Sequence, residues 1–357
     1  MRPLLFVTGH APAYRVGAFA CLHEHEDIEV ALFGGRSRHG GAGFEGELPF
    51  PHRHVRQREL AGLAASRRYR AVVCPTGGRV APGAVWIGTR RARLPLILWA
   101  SLWAHPRSAA HAVSYLPLRR LYRTADAVVT YGPHVSAYVI ARRAHNVHVA
   151  PQSVDNDFWR EAVPAPAADL GTSSGVRFLF VGRPSPEKGL DVLLQAWRES
   201  GLAQGGAELV VVGSRAPAAA AGVRSIPAAD PPRMREIYEA CDVLVIPSIP
   251  TRTFREPWAL VANEAMNRGL AVIATDAVGA AAGGLVSDGR NGIVLPAGDA
   301  AALSRALVRL ADDGELRAGM GAAGSQDVLA YSHDAWAAGF SRALEQLGLS
   351  ARVGSVE

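Results

Sequence analysis

Lys188 is the only lysine among the 38 lysines and arginines of this chain. It lies in the segment 182–189, which reads GRPSPEKG and also contains Arg183. An apolar run at 176–181 precedes this segment, and a helical pattern follows at 190–197. A glycine-bounded loop with two cations between a strand and a helix is typical of phosphate sites in α/β proteins. Because lysine is a compact point charge that fits against phosphate, we predict that Arg183 and Lys188 bind a phosphate group.

Two glutamates, Glu256 and Glu264, follow the apolar run at 243–246. Pro257 is a residue favoured in the first turn of a helix, so we predict a helix that begins there and carries Glu264. The backbone amides of residues 258–261 would then be free to face an anion. The pattern predicts two carboxylates and free amides around one ligand. A helix-start glutamate followed by a solvated helical one is the alternative interpretation.

Short apolar runs alternate with helical stretches along the whole chain. Near-continuous apolar strands of this kind are typical of a parallel sheet that is covered on both faces. The alternation occurs twice, so we predict an α/β protein with two doubly wound, Rossmann-like domains facing each other across a cleft. The predicted strands are 4–8, 28–33, 71–75, 96–100, 127–130, 147–150, 176–181, 208–212, 243–246, 271–274 and 292–295.

A stretch rich in proline, alanine, glycine and serine at 163–175 indicates a surface segment near the domain boundary. We therefore predict a first domain over residues 1–160 and a second over residues 173–330.

The net charge of +6 is distributed unevenly between these halves. Residues 1–160 hold 21 arginines against 10 acidic residues (+11), and residues 161–357 hold 17 basic against 22 acidic residues (−5). The basic half contains no recognition helix, zinc finger or aromatic RNA platform, so we expect no nucleic-acid partner. An anionic membrane surface, an anionic acceptor and a plain solvated face are the open interpretations.

The three cysteines, Cys21, Cys74 and Cys241, are odd in number and lack the paired spacing of a zinc site. This usage fits a reducing compartment, and we expect a cytoplasmic protein with no metal site. The apolar run at 94–104 is shorter than the roughly 20 residues of a spanning helix, so we interpret it as a buried strand.

Three further motifs match functional sites by spacing alone. Asp155-Asn156-Asp157 has the form of a metal-binding Asp-x-Asp, although such a segment also caps turns. Residues 171–175, GTSSG, match a nucleophile elbow as a string but precede a strand, whereas the motif requires that it follow one. The pairs His23/His25 and His52/His54 have no third ligand nearby in sequence. None of these motifs predicts a site.

Taken together, the phosphate loop and the glutamate pair resemble the motifs of family 4 glycosyltransferases, which are retaining, nucleotide-sugar-dependent enzymes of the GT-B fold. The resemblance covers residues 147–310 well, and the first half is similar only in its pattern. The matching motifs are Gly182-Arg183-x4-Lys188-Gly189, Glu256-x7-Glu264 within EPWALVANEAM, and Asp288-Gly289-Arg290-Asn291-Gly292. Weaker matches are Pro151–Phe158 and Ile237–Val243.

The resemblance implies a role for each matching residue. Arg183 and Lys188 would bind the donor diphosphate and stabilise the leaving nucleotide, Glu264 would bind the ribose, and Glu256 would contact the donor sugar. The other implied donor-site residues are Trp258, Ala259, Leu260, Val261 and Gly213. Many relatives have glycine at the position of Ala259. A UDP-sugar is the expected donor, with GDP- and dTDP-sugars as alternatives, and neither a cofactor nor a metal is expected.

The resemblance also predicts features of the first half. His105 is the candidate catalytic histidine, with His111 as the alternative, and Gly17 stands where relatives have an N-terminal glycine loop. The helix at 333–349 is expected to pack back on the first domain.

The predicted function is transfer of a sugar to a lipid-linked, glycan or small-molecule acceptor, with retention of configuration. A GT-B epimerase or phosphorylase is one alternative, since fold alone does not fix the chemistry. A non-catalytic nucleotide-binding scaffold is another.

Overall fold

The computed structural model describes residues 1–34, 47–78, 80–163, 167, 170–171, 175–216 and 220–351. The chain divides into two compact units. Met1–Asp155 together with Tyr331–Glu357 form the first unit, and Asn156–Ala330 form the second.

The first unit begins with strands and helices in alternation. In chain order these elements are β1 (Leu4–Thr8), α1 (Ala13–Glu26), β2 (Ile28–Leu32), β3 (His52–His54), α2 (Leu60–Ala65), β4 (Val72–Pro75), α3 (Ala81–Ala92), β5 (Leu96–Ala100), α4 (Ala109–Thr124), β6 (Ala127–Thr130), α5 (Pro133–Ile140) and β7 (Val147–Val149).

Within the described residues, the sheet of the first unit has seven strands in the order β3-β2-β1-β4-β5-β6-β7. Every neighbouring pair is parallel. All five residues of β1 are buried, because hydrophobic clusters lie on both faces of the sheet. This double coverage explains why the inner strands are largely apolar and do not alternate between apolar and polar residues.

The second unit repeats the same plan. Its elements are α6 (Asn156–Arg160), β8 (Arg177–Val181), α7 (Leu190–Ser200), β9 (Glu208–Val212), β10 (Val223–Ile226), α8 (Pro231–Glu239), β11 (Val243–Ile246), α9 (Val261–Asn267), β12 (Ala271–Thr275), α10 (Gly279–Ala282), β13 (Gly292–Leu295), α11 (Ala300–Asp312) and α12 (Gly314–Asp327).

The described strands of the second unit form a parallel sheet in the order β10-β9-β8-β11-β12-β13. Leu193 and Trp197 of α7 and Leu307 of α11 pack on one face and are almost fully buried. The strand order reverses between β8 and β11, and ligands of doubly wound sheets bind at the carboxyl ends of strands beside such a reversal.

The chain returns to the first unit through α13 (His333–Gln346). Trp336 and Phe340 of this helix are fully buried, and the Trp336 ring lies 5.7 Å from the Phe19 ring of α1. Gly339 is required at its position, because a Cβ there would lie 2.6 Å from the Cα of Ala150. The helix expected at 333–349 thus belongs to the compact unit formed by the N-terminal residues.

The eleven predicted strands are all present, with ends that differ by at most one residue. The prediction missed β3 and β10, each of which lies at one edge of its sheet and has no buried residue. The first unit ends at Asp155, whereas the predicted domain ends at residue 160. The difference arises because α6 belongs to the second unit, where the Trp159 ring lies 5.7 Å from that of Tyr238.

Part of the predicted boundary segment at 163–175, including the predicted start of the second domain at residue 173, lies outside the described residues. No helix in the described part of the chain is long and apolar enough to cross a bilayer.

Candidate functional site

The turn that carries Lys188 lies at the carboxyl end of β8. Residues Pro186–Lys188 form a short 3-10 helix that ends at Gly189, whose φ is +70°. A Cβ on Gly189 would lie 1.9 Å from the carbonyl oxygen of Pro247, just after β11. The Ile249 N–H also donates to the Glu187 carbonyl at 3.0 Å. Glycine therefore allows the turn to pack directly against the end of the neighbouring strand.

This packing brings Lys188 to Glu256. The lysine Nζ lies 2.5 Å from Glu256 Oε2, and the two side chains are 20% and 9% exposed. Arg183 lies five residues before Lys188, is exposed, and forms no ion pair with any described residue. The structure therefore joins two of the predicted site residues and leaves a third as an accessible cation at the same strand end.

The segment from Glu256 to Val261 is not helical at its start, contrary to the prediction from Pro257. The Gly279 N–H donates to the Glu256 carbonyl at 3.0 Å, so this residue pairs with the segment after β12. Ala259 then has a φ of +76°, in the left-handed region. Because an α-helix cannot pass through that conformation, α9 begins only at Val261.

This geometry exposes a run of backbone donors. Within the described residues, the N–H groups of Ala259, Leu260 and Val261 donate no hydrogen bond to the protein. The left-handed Ala259 is followed by Leu260 in the right-handed helical region, with φ −58° and ψ −24°. When one residue has a left-handed and the next a right-handed backbone conformation, their N–H groups point into one concave site that binds anions. The predicted free amides are thus present, but in a turn before the helix.

Trp258 and Glu264 are fixed on either side of this turn. Trp258 is buried, and its indole Nε1 donates to Asn263 Oδ1 at 2.8 Å. The Glu264 carboxylate accepts a hydrogen bond of 2.7 Å from the Tyr238 hydroxyl. Burial raises the pKa of Glu264 to about 7, and the Tyr238 hydrogen bond partly opposes that shift. Tyr238 and Asn263 position these two residues, and only the weak motif match at 237–243 hinted at the tyrosine.

Gly213 lies directly after β9, on the other side of β8. Its φ is +78°, and a Cβ there would come within 3.0 Å of the Gly182 carbonyl oxygen. The Ser214 hydroxyl donates to that same carbonyl at 2.7 Å. The loops after β8 and β9 are therefore joined beside the Lys188 turn.

The candidate residues of the first unit have different surroundings. His105 Nε2 lies 2.9 Å from the His111 carbonyl oxygen, and its Nδ1 lies 3.3 Å from the Tyr138 hydroxyl. Both ring nitrogens thus have partners within the unit. The catalytic role of His105 stays a prediction. His111 Nδ1 lies 2.7 Å from the Ser108 hydroxyl.

Gly17 lies inside α1 and not in a loop, which corrects the sequence-based placement. A Cβ there would lie 2.7 Å from Nε2 of His333, so this glycine allows the α13 histidine to pack on α1.

Of the three motifs set aside from the sequence, Thr172, Ser173 and Ser174 of GTSSG lie outside the described residues. His52 and His54 belong to the edge strand β3. His25 has two neighbours that local spacing could not reveal, Cys21 and Asp334.

Comparison with known proteins identifies the second unit. Residues 175–313 match the family model described as Glycosyl transferases group 1. The chain is 31% identical to the D-inositol 3-phosphate glycosyltransferase of Acidothermus cellulolyticus over 64% of this chain and 57% of that protein. It is also 31% identical to the phosphatidyl-myo-inositol mannosyltransferase of Mycobacterium leprae over 49% of this chain and 48% of that protein. The chain spans less than two thirds of the length of the curated relatives it matches.

Solved structures match along almost the whole chain. Anabaena Alr3699/HepE in complex with UDP and glucose has a TM-score of 0.73 and 17% identity, over 97% of this chain and 100% of that chain. Sucrose-phosphate synthase from Thermosynechococcus elongatus has a TM-score of 0.73 and 18% identity, over 98% and 99%. At these identities the likeness shows the fold alone.

Two parallel α/β sheets together with these matches define a GT-B protein. Residues 175–313 are similar to the glycosyltransferase group 1 family, and the chain as a whole has the GT-B fold. The resemblance inferred from the motifs around Lys188 and Glu256 is confirmed.

Proposed function

We propose that this protein transfers a sugar from a nucleotide-diphosphate sugar to an acceptor, with retention of anomeric configuration. The observation that carries the proposal is the Lys188–Glu256 pair beside the unpaired amides of Ala259, Leu260 and Val261. Cations and amides suit a diphosphate, and a carboxylate next to them suits the hydroxyls of a sugar.

The diphosphate is bound by positive charge that the chain itself supplies. Lys188 and Arg183 face the developing anion on the leaving nucleotide, and the amides of the turn at 259–261 add fixed dipoles. Such preorganised donors lower the barrier to bond cleavage because they stabilise charge that grows in the transition state. In this scheme no metal ion is required to neutralise the leaving group.

The two glutamates bind the two ends of the donor. Glu256 pairs with Lys188, and on donor binding the lysine is shared between this carboxylate and a phosphate oxygen. Glu256 is then available to hydrogen-bond the sugar. Glu264 accepts hydrogen bonds from the ribose hydroxyls, and Tyr238 fixes its orientation. The acceptor hydroxyl transfers its proton to a donor phosphate oxygen, so no strong protein base is needed.

The donor we propose is a UDP-sugar, with GDP- and dTDP-sugars as the alternatives. Support comes from Anabaena Alr3699/HepE, whose structures contain UDP, UDP-glucose, or UDP and glucose. Curated relatives are named for inositol phosphate and phosphatidylinositol acceptors, both of which are anionic. The positive balance of residues 1–160 suits an acceptor of that charge.

The test measures sugar transfer and nucleotide release with purified protein. We expect Lys188→Ala and Glu256→Gln each to lower turnover by about 10²-fold or more, the scale for loss of one charge-stabilising group. Arg305→Ala, an exposed arginine on α11, is the matched control and should retain wild-type turnover. NMR of the product should give the same anomeric configuration as the donor. Wild-type turnover in both site variants, or an inverted product, would contradict the proposal.

The same assay distinguishes the alternatives. A new epimer formed from the nucleotide-sugar without acceptor identifies an epimerase, and phosphate-dependent release of a sugar phosphate identifies a phosphorylase. Nucleotide binding without any turnover identifies a scaffold.

We further propose that the first unit contacts an anionic membrane through α4. Val113 and Leu116 of this helix are 77% and 68% exposed. Arg120 and Arg123 are also exposed, and helical spacing brings all four side chains to one face. An exposed apolar and cationic helix face is typical of contact with anionic lipid.

Vesicle sedimentation tests this contact. The protein should pellet with phosphatidylserine vesicles at low salt and less at physiological salt, because the attraction is screened. Val113→Ser/Leu116→Ser should reduce pelleting, whereas Leu329→Ser, an exposed leucine of the second unit, should not. Absence of pelleting at low salt would reject the contact and favour a soluble acceptor.

A further inference from the structure

A second cluster of chemically active side chains lies between α1 and α13 of the first unit. Cys21 and His25 are one turn apart on α1, so their side chains lie on the same face of the helix. Asp334 is in the first turn of α13. The side chain of His25 is 11% exposed and that of Asp334 is 80% exposed. Three different types of ligand atom therefore meet at a half-buried position.

The spacing of the three atoms is that of a coordination triangle. Cys21 Sγ lies 3.8 Å from His25 Nε2 and 3.3 Å from Asp334 Oδ1, and His25 Nε2 lies 3.5 Å from Asp334 Oδ1. Tetrahedral zinc binds sulfur at about 2.3 Å and nitrogen or oxygen at about 2.0–2.2 Å, which separates its ligand atoms by about 3.3–3.7 Å. The observed distances of 3.3–3.8 Å span nearly the same range as those edges.

The chemical types of the three ligand atoms favour zinc. A thiolate, an imidazole and a carboxylate are all ligands of Zn²⁺, whereas the thiolate disfavours magnesium and calcium. No lysine or arginine among the described residues forms an ion pair with Asp334. The carboxylate is thus available to a cation. Its exposure leaves the fourth ligand position to water.

We propose that Cys21, His25 and Asp334 bind one Zn²⁺ that fastens α13 to α1. This inference is independent of the sugar-transfer proposal and concerns the first unit alone. Binding would displace the Cys21 thiol proton to solvent and form three bonds from the metal to the chain. Cys21 and Asp334 are 313 residues apart, so a shared metal would close a very long loop of the chain. In principle, a link that closes a long loop stabilises the folded state most, because it removes the most conformational entropy from the unfolded chain.

The experiment uses the full, tag-free chain freed of metal with a chelator. Zinc binding is measured by competition with a chromogenic chelator, and Co²⁺ is added separately to detect a thiolate-to-cobalt charge-transfer band. We expect one equivalent of Zn²⁺ per chain, a near-ultraviolet band with Co²⁺, and a higher unfolding temperature with Zn²⁺. Cys21→Ser and Asp334→Asn should each weaken zinc binding by about 100-fold or more. Loss of a residue that only hydrogen-bonds a metal ligand typically costs about 10–100-fold.

His23→Gln is the matched control, because His23 is on the same helix but outside the cluster. It should bind zinc as the wild type does. Asp334→Asn changes an exposed side chain, so its effect can be measured without loss of the fold. The proposal is overturned if the wild type binds no zinc in this competition, if Cys21→Ser binds as tightly as wild type, if the cobalt band is absent, or if His23→Gln also loses the metal.

Discussion

At the level of single residues, we expect Glu264 to couple pH to donor binding. Its pKa is raised to about 7, so the carboxyl group is mostly neutral at pH 6 and mostly ionised at pH 8. The ionised form is the stronger acceptor for two ribose hydroxyls. We predict that affinity for a nucleotide-diphosphate sugar rises by about tenfold between pH 6 and 8, following the ionised fraction. Titration calorimetry across this range measures it, and Glu264→Gln should bind weakly at every pH.

For folding stability, we predict that Glu264 gives the opposite pH dependence. A carboxyl group whose pKa is raised in the folded state favours folding below its ordinary pKa of 4.5, and this contribution is lost as pH rises through about 7. The ligand-free protein should therefore lose stability between pH 5 and 8, and Glu264→Gln should lose less. Equal pH dependence of unfolding in both proteins would show that Glu264 is not the group responsible.

Ala259 carries a conformational cost that relatives with glycine at this position avoid. Its φ of +76° costs a non-glycine residue roughly 1–2 kcal/mol, whereas glycine has a larger entropy loss on folding of about 0.5–1 kcal/mol. We predict that Ala259→Gly raises the free energy of unfolding by up to about 1 kcal/mol and retains donor affinity. Ala318→Gly, at an exposed position inside α12, should instead lower it by about 1 kcal/mol. Denaturant unfolding of both variants decides the sign.

At the level of elements, the turn at 186–189 determines whether Lys188 reaches Glu256. In Gly189→Ala, the new Cβ would lie 1.9 Å from the Pro247 carbonyl oxygen, so the turn must move away from β11. We predict a loss of about 2–5 kcal/mol in the free energy of unfolding, from the left-handed conformation and the clash together. Donor affinity should fall as well, because Lys188 is the adjacent residue.

Gly201→Ala provides the comparison for that variant. Gly201 has nearly the same φ, +69°, but among the described residues the atom nearest to its added Cβ is Gln204 Oε1, at 3.7 Å. It should lose only the roughly 1–2 kcal/mol of the left-handed conformation and bind donor normally. Equal destabilisation by the two substitutions would argue against close packing of the Lys188 turn.

The elements also show how far sequence patterns reach. Most of the eleven predicted strands were predictable because they are covered on both faces and are largely apolar, as in β1, β5 and β12. Strands β3 and β10 were missed because edge strands are partly exposed and carry polar residues, as in His52–His54. The start of α9 was wrong, since Pro257 is a sound helix signal but nothing local reveals the positive φ of Ala259.

At the level of the whole molecule, local spacing predicted the second unit better than the first. The Lys188 loop and the Glu256 segment each carry their chemistry within a few adjacent residues, so a linear motif describes them. The cluster of Cys21, His25 and Asp334 joins residues more than 300 positions apart, and no motif records it. His105 is a similar case, because only the fold shows that both of its ring nitrogens are engaged.

Sugar transfer as proposed requires that the second unit bind a nucleotide-diphosphate sugar at Lys188, Glu256 and the turn at 259–261. The most direct measurement is titration calorimetry of wild type, Lys188→Ala and Lys188→Arg with UDP-, GDP- and dTDP-sugars. We predict that the sugars of one nucleotide, UDP by expectation, bind the wild type. Lys188→Ala should bind them at least about tenfold more weakly, the cost of one charge-assisted hydrogen bond. Lys188→Arg should restore binding only in part, because the planar guanidinium does not fit a lysine point-charge site. Equal binding by wild type and Lys188→Ala, or no binding of any nucleotide-sugar, would contradict it.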